Sequence, residues 1–250
     1  MKYGLTTLAL VLIAGAVAYA AVQNNMDEYS WNYRITVNIE TPEGFKGGSA
    51  VRQVVNRDNT ILGQKLPDAG ARISAVKGEA VVIDLGKRGV VFGLIEHGSY
   101  GELYSAFSVK NASNTSEDFD KLQIGKTVPL PKENWPMFVT FTDINDPLSV
   151  ELVYGWKFNP ETQKQYPVRR FEEIFGENVQ IKDVTIEIVE QPSTWGTVDK
   201  YLNEEFWSSY RNIVKSMNII ERAKNFPSNL FQFKLYPVST SWTDSASLLR

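Results

Sequence analysis

Apolar and polar residues alternate along much of the chain, which is the pattern of strands with one buried face. Residues 33–41 (YRITVNIET) and 180–189 (QIKDVTIEIV) alternate most strictly. Further strands are predicted at 48–56, 80–85, 90–95, 138–141, 150–153 and 231–238. Residues 86–89 (GKRG) are typical of a hairpin connection between two of these strands. The pattern therefore predicts an α+β protein that is mostly β, built as an antiparallel sheet or a sandwich.

Helical periodicity is confined to three segments. Short helices are predicted at 100–109 and at 171–175, and Gly176 ends the second of these. The third segment, Asp199 to Lys224, is the one long amphipathic helix. At about 100° per residue, its core-facing stripe consists of Leu202, Phe206, Tyr210, Ile213, Met217 and Ile220.

Two further apolar residues, Trp207 and Val214, fall beside this stripe and widen the apolar face of the helix. One interpretation is that the helix covers the β domain and that Trp207 rests at its edge, which is the usual role of an amphipathic helix. The alternative is that Trp207, Val214 and Tyr210 bind a partner protein, because aromatic anchors carry much of the binding energy of such patches.

The N-terminus carries an apolar run from Leu5 to Val22, preceded by Lys2 and followed by acidic residues. A run of this length reaches roughly 27 Å as a helix, close to the thickness of the hydrocarbon core of a bilayer. Ala18-Tyr19-Ala20 also fits a signal-peptidase site, so a cleaved signal peptide and a retained transmembrane anchor are both open. We expect residues 1–22 to be this export segment, followed by a spacer at 23–32, one domain at 33–238 and a loose tail at 239–250.

The composition excludes several classes of function. With 26 Lys and Arg against 29 Asp and Glu, the formal net charge is −3, which argues against a nucleic-acid binder that relies on bulk positive charge. The absence of cysteine excludes disulfides, thiolate metal sites and a lipoprotein anchor. A single histidine excludes sites that need two, so no metal or cofactor is predicted.

That single histidine, His97, is the one candidate imidazole base, and Ser99 lies two residues after it. A hydrolase would need this base to orient a serine and a carboxylate to orient the base. The sequence has no G-x-S-x-G motif around a serine, so a polar histidine in a loop is the favoured interpretation. No catalytic residue is assigned.

Other polar and aromatic groups have structural explanations. Asp143, Asn145 and Asp146 resemble a calcium loop, but Pro147 breaks the required spacing, and Asx turns explain the segment better. The acidic pairs at 172–173 and 204–205 are predicted to lie on solvated helix faces. The six tryptophans, at 31, 135, 156, 195, 207 and 242, suit either packing or a carbohydrate platform.

Four sequence blocks occur in order along the chain. They are W-x-Y-R-I-T-V-x-I-E-T-P-E-G from Trp31, G-E-A-V-V-I-D-L-G from Gly78, V-T-F-x-D-x-N-D-P from Val139 and F-G-x-x-V-x-I from Phe175. Together they resemble an uncharacterised proteobacterial family of exported or membrane-anchored proteins, over about residues 31–202. The resemblance implies one exported domain; it implies no activity, since the family has no known function.

The sequence thus predicts an envelope protein in the periplasm, either tethered to the cytoplasmic membrane through residues 5–22 or released after signal cleavage. Its predicted role is a non-enzymatic, protein-binding or accessory scaffold subunit whose partner is another envelope or membrane protein rather than a nucleic acid. Two alternatives stay open. One is an exported hydrolase that uses His97 or carboxylates, and the other is a carbohydrate- or lipid-binding module.

Overall fold

The structure, a computed structural model of the chain, describes residues 28–57, 60–61, 64–65, 73–95, 100–109, 122–159 and 161–217. The apolar segment 5–22, His97, Ser99, the strand predicted at 231–238 and the tail at 239–250 lie outside these residues. The chain divides into two compact units, residues 31–54 with 75–250 and residues 1–30 with 55–74. Within the described ranges, no helix combines the length and the apolar character needed to cross a bilayer.

Two five-stranded antiparallel sheets dominate the described residues, which confirms that the protein is mostly β. The first sheet has the order β5-β2-β1-β12-β8, with β1 Glu28–Thr41, β2 Gly44–Arg57, β5 Ile73–Lys77, β8 Thr127–Pro129 and β12 Gln180–Val189. The second has the order β11-β10-β9-β7-β6, with β6 Val81–Asp84, β7 Val90–Gly93, β9 Phe138–Phe141, β10 Val150–Asn159 and β11 Lys164–Arg169. Strands β3 (Thr60–Ile61) and β4 (Gln64–Lys65) form a separate two-stranded sheet.

Three α-helices accompany the sheets in the described part of the chain: α1 Tyr100–Ala106, α2 Phe171–Phe175 and α3 Glu204–Ser216. Helix α2 ends at Gly176, as predicted, because its φ of 101° is a conformation that favours glycine. Helix α3 begins later than the predicted residue 199. Asn203 supplies its N-cap through a 3.0 Å bond from Phe206 N, while Asp199 lies in a preceding 3-10 turn, Val198–Lys200. The helix ends at Ser216, because Met217 has an extended conformation with φ −92° and ψ 139°, and residues 218–224 of the predicted helix lie outside the described residues.

The main apolar core lies where the two sheets face each other. The alternating apolar residues of β1 are fully buried, and they share one cluster with residues from β12, β6, β7, β9 and β10. In β1 these residues are Tyr33, Ile35, Val37 and Ile39. Pairing of β1 with β12 keeps the two alternating patterns in phase, for example Ile35 opposite Ile186, so both strands turn their apolar side to the same core.

The second sheet is also buried on its other face. There, residues such as Phe92, Val139 and Leu152 join a second cluster together with Leu202 and Phe206. The partly buried residues packed against this cluster include Trp207, Tyr210, Ile213 and Met217 of the α3 region. The apolar stripe predicted from the sequence therefore covers the sheet, at least from Leu202 to Met217.

Candidate functional site

The hairpin of β10 and β11 carries an open cleft of about 350 Å³ on one side. Its lining combines aromatic and charged side chains: Lys132, Glu133, Trp135, Met137, Tyr154, Gly155, Trp156 and Arg169. Pockets that hold small ligands typically have volumes of roughly 300–1,000 Å³. The cleft is therefore large enough for a small ligand or for a segment of a longer one.

The register of the hairpin explains why these side chains meet. Tyr154 and Trp156 are two positions apart on β10, so they project from the same face. Arg169 lies directly opposite Tyr154 on β11, and Pro167 lies opposite Trp156. Residues opposite each other on antiparallel strands share a face, so Arg169 joins the two aromatic side chains.

The aromatic and cationic groups of the cleft form a continuous row. Lys132 Nζ lies 5.6 Å from the ring centroid of Trp135, whose ring centroid is 5.8 Å from that of Tyr154. Arg169 Cζ lies 3.9 Å from the Tyr154 centroid and 6.0 Å from the Trp156 centroid. Distances within about 6 Å allow cation–π attraction, so the two cations are held against the ring faces. We call these five side chains the aromatic–cation row.

Hydrogen bonds to the backbone fix most of this row. Trp135 Nε1 donates to Leu130 O at 2.9 Å, and the Tyr154 hydroxyl donates to Lys132 O at 3.4 Å. Arg169 Nη1 donates to the carbonyl oxygens of Gly155 and Val168, at 3.1 and 2.6 Å. Partial burial raises the pKa of the Tyr154 hydroxyl above its ordinary value of 10.0, although Arg169 lowers it, so this phenol is a neutral donor near pH 7.

Gly155 lines the cleft at a position where a side chain would not fit. Its φ is 144°, and a Cβ built there would lie 2.6 Å from Met137 Cγ, closer than real side chains approach. The absence of a side chain lets Met137, which is buried, pack directly against the backbone between Tyr154 and Trp156. Any larger residue at position 155 would displace Met137 or the strand.

The charges of the row are not neutralised by the protein. Within the described part of the chain, neither Lys132 nor Arg169 forms an ion pair with a carboxylate. Both are exposed, and the exposed Glu133 is the one acidic residue of the lining. Trp156 is 47% exposed although it is a large aromatic residue. Two cations and an exposed indole are thus presented to solvent, an arrangement suited to a ligand that has both a negative charge and a flat apolar face.

A second charged cluster is fully enclosed and serves the fold. Arg52 is completely buried, and its guanidinium donates to Glu102, to Glu79 O and to Gly93 O. Tyr33 also donates to Glu102, at 3.0 Å. Burial raises the pKa of the Glu102 carboxyl, while Arg52 acts in the opposite direction. Each charged group of this cluster has partners within the protein, as buried charges require. No charged group of the cluster is therefore directed at a ligand.

The sequence-predicted partner residues take different positions. Trp207 is half-buried, packs against the second cluster and donates from Nε1 to Asp199 Oδ1 at 3.3 Å. Tyr210 packs against the same cluster and meets Trp207 edge to face, with ring centroids 6.1 Å apart. Val214 belongs to α3, but its side chain lies outside the described part of the structure.

The acidic segments behave as structural elements. Asp143 Oδ1 accepts from Asn145 N and Asp146 Oδ1 accepts from Leu148 N, both at 2.9 Å, so the interpretation as Asx turns is confirmed. The acidic pairs at 172–173 and 204–205 are exposed on α2 and α3, also as predicted. Among the described residues, no group of three or more His, Asp or Glu side chains is placed to hold a metal ion.

Sequence reasoning identified the tryptophans but not their grouping. Of the six, Trp135 and Trp156 both line the cleft, Trp31 and Trp135 pack against the main core, and Trp242 lies outside the described residues. Lys132, Tyr154 and Arg169 were not predicted as site residues. The alternation of Tyr154 and Trp156 on a strand was an available signal, but the position of Arg169 depends on the register of the hairpin.

Comparisons with protein-family models, with curated proteins and with solved structures find no match to this chain.

Proposed function

We propose that this protein is a non-enzymatic binding domain of the cell envelope, and that it holds a negatively charged envelope component in the β10–β11 cleft. One observation carries the proposal. The aromatic–cation row presents Lys132 and Arg169 to solvent without a carboxylate partner in the described residues, beside the exposed ring of Trp156. Unpaired cations held against aromatic rings are a pre-organised site for an anion, because the protein has already ordered the side chains that the ligand needs.

The location in the envelope is supported by the sequence. Lys2, the apolar run from Leu5 to Val22 and the acidic residues after it favour export, and the resemblance of residues 31–202 to an exported family agrees. We propose that the run forms a helix that tethers the domain to the cytoplasmic membrane. Proteolysis of spheroplasts tests this location: digestion of residues 33–250 supports export, and protection of that region contradicts it.

A protein partner on α3 is the second candidate. Trp207, Tyr210 and Val214 would form that surface. The contacts of Trp207 and Tyr210 with the second cluster weaken this candidate, because apolar area packed on the domain is not available to a partner. In the cleft, Trp135 and Tyr154 are likewise half-buried against the main core, but Trp156 is 47% exposed beside two cations that have no carboxylate partner among the described residues, and we therefore place the ligand there.

The binding part of the proposal is tested by purifying the full chain from its native membrane in mild detergent. We compare the wild type with a double variant of the cleft, Lys132→Ala with Trp156→Ala. A matched control changes an exposed lysine on the opposite face of β10 and an exposed aromatic residue outside the cleft, Lys157→Ala with Phe45→Ala. Proteins and saccharides that co-purify are identified by mass spectrometry.

We expect one component to co-purify with the wild type and with the control, and to be lost from the cleft variant. Melting curves of the three proteins should be close, because all four substituted side chains are exposed. If the cleft variant retains every component that the wild type retains, the cleft is not the binding site and the proposal is wrong.

A further inference from the structure

We propose that the ligand of the β10–β11 cleft is an acidic saccharide, meaning a chain of sugar rings that carry carboxylate groups. The inference rests on the proposed function and names the chemical class of its ligand. Three features of the cleft favour this ligand: rings separate its two cations, its aromatic side chains expose a ring face, and the edge of its hairpin contains a proline.

The cations occupy two separate positions in the aromatic–cation row. Lys132 lies against Trp135 at one end, and Arg169 lies between Tyr154 and Trp156. Rings of the protein therefore separate the two positive charges. A ligand that pairs with both needs acidic groups spaced apart along its length, with something flat between them. A polymer that carries carboxylates on successive or alternate sugar rings also has its acidic groups separated by flat rings.

The aromatic residues suit sugar rings. A pyranose has a face of C–H bonds and a rim of hydroxyl groups, so it packs its face on an indole or phenol ring while the rim stays hydrogen-bonded. Trp156 is 47% exposed and offers such a face, and the exposed Glu133 offers acceptor oxygens to ligand hydroxyls. The volume of about 350 Å³ is at the lower end for ligand pockets of roughly 300–1,000 Å³, which suits one or two rings of a longer chain.

The edge of the hairpin disfavours a peptide that adds a strand. β11 is the outer strand of the second sheet, and Arg170 N donates inward to Val153 O at 2.8 Å. Because amides alternate in direction along a strand, position 167 is one of those that face outward. Residue 167 is proline and has no N–H to offer a partner strand. The cleft lining, with two cations and one acid, is equally unsuited to an acyl chain.

The inference is tested by titrating the full chain, in a non-ionic detergent, with trigalacturonic acid and with a hyaluronan hexasaccharide. Binding is followed by calorimetry and by tryptophan fluorescence. The fully methyl-esterified trigalacturonate is the neutral probe, while hexaglutamate and phosphatidylglycerol vesicles represent an acidic peptide and an anionic lipid surface. The protein variants are Lys132→Ala and Trp156→Ala, with Lys157→Ala and Phe45→Ala as controls.

We expect at least one of the two acidic saccharides to bind, and each cleft variant to weaken its binding tenfold or more. Neither control variant should change the affinity, and the methyl ester should bind at least tenfold more weakly than the acid. Higher ionic strength should reduce the affinity, because exposed charges are screened by salt.

Three outcomes overturn the inference. The first is that neither acidic saccharide binds. The second is that the methyl ester binds as tightly as the acid. The third is that hexaglutamate or the vesicles bind more tightly than the saccharides, with the same dependence on Lys132 and Trp156. The last outcome leaves the cleft as the binding site and so preserves the proposed function. The co-purification experiment decides the proposed function independently of all three.

Discussion

Phe206 and Trp207 are neighbours in the sequence whose rings meet edge to face, with centroids 5.3 Å apart and planes at 90°. Their burial differs. Phe206 is 2% exposed and also meets Phe141 edge to face at 5.2 Å, whereas Trp207 is half-buried at the margin of the second cluster. Substituting each residue in turn therefore distinguishes a role of α3 in packing from a role in binding a partner.

We expect Phe206→Ala to lower the free energy of unfolding by about 3–5 kcal/mol, because it leaves a cavity between α3 and the second sheet. Trp207→Ala should cost clearly less, because part of its ring is already in water. Urea unfolding of the two variants measures the difference.

If Trp207 is also a partner anchor, Trp207→Ala should weaken complex formation by ~2 kcal/mol or more. Equal destabilisation by the two variants would show that Trp207 is a core residue only.

The buried ion pair of Arg52 and Glu102 gives a second prediction. Arg52 Nη1 lies 2.8 Å from Glu102 Oε2, and both side chains are buried. Glu102→Gln keeps the shape but leaves the Arg52 charge without a counter-charge, so we expect a loss of about 3–5 kcal/mol in the free energy of unfolding. The double variant Arg52→Met with Glu102→Leu should lose less than the sum of its single variants. An unfolding midpoint of Glu102→Gln equal to that of the wild type would contradict this account.

The exposed pair of Glu43 and Arg88 predicts a dependence on pH. Arg88 donates to both carboxylate oxygens of Glu43, at 2.8 and 3.1 Å, and lowers the pKa of this carboxyl from 4.5 to about 2. A lowered pKa in the folded state means that the carboxylate stabilises the protein above pH 4.5 and that this contribution is lost as the pH falls towards 2.

Glu43→Gln should therefore be less stable than the wild type at pH 7, and the two proteins should converge as the pH falls from 4.5 to 2. Thermal melts across this range measure the convergence, and high salt should reduce the difference at pH 7. Glu177→Gln is the control, because Glu177 is exposed and has no ion pair among the described residues. A stability difference between Glu43→Gln and the wild type that is the same at pH 7 and pH 2 would rule out the pair as its source.

The proposal of a non-enzymatic domain predicts that His97→Ala leaves ligand binding and the cellular phenotype of the protein unchanged. His97 is the one histidine of the sequence, so its loss removes imidazole catalysis altogether. Complementation of a deletion strain and a melting curve test the variant together. Loss of complementation with an unaltered melting curve would favour the hydrolase alternative.

The strands that the sequence predicts best are those with one buried face and one polar face. β1 and β12 alternate because one face meets the core and the other meets polar partners or solvent. β12 has the predicted bounds and β1 ends at the predicted Thr41, but β1 begins at Glu28, within the segment predicted as a spacer. β9 and α2 are also found at the predicted residues, since an apolar run and a helix-ending glycine mark them. The burial predicted for Leu202 and Phe206 is also found, although Leu202 precedes α3 rather than belonging to it.

Three of the strands that were not predicted, β5, β8 and β11, lie at the edges of the two five-stranded sheets. β8 and β11 are short, mostly exposed and each contains a proline, so neither hydrophobic pattern nor strand propensity marks them. β10 continues to Asn159, beyond the predicted end at residue 153, because its second half pairs with β11. The cleft was missed for the same reason. Arg169 reaches Tyr154 through the register of this hairpin, which no local pattern encodes.

Because the second sheet is buried on both faces, few of its positions can accept a substitution. In an ordinary half-exposed strand, every second position accepts a polar residue at little cost. All four residues of β9 are buried, and three of four are buried in β6 and in β7. Thr140 is tolerated in β9 because its hydroxyl donates to Val90 O at 2.7 Å. Mutational scanning would find these strands intolerant at consecutive positions, so the segment that diverges least among descendants of this chain should be the centre of the second sheet.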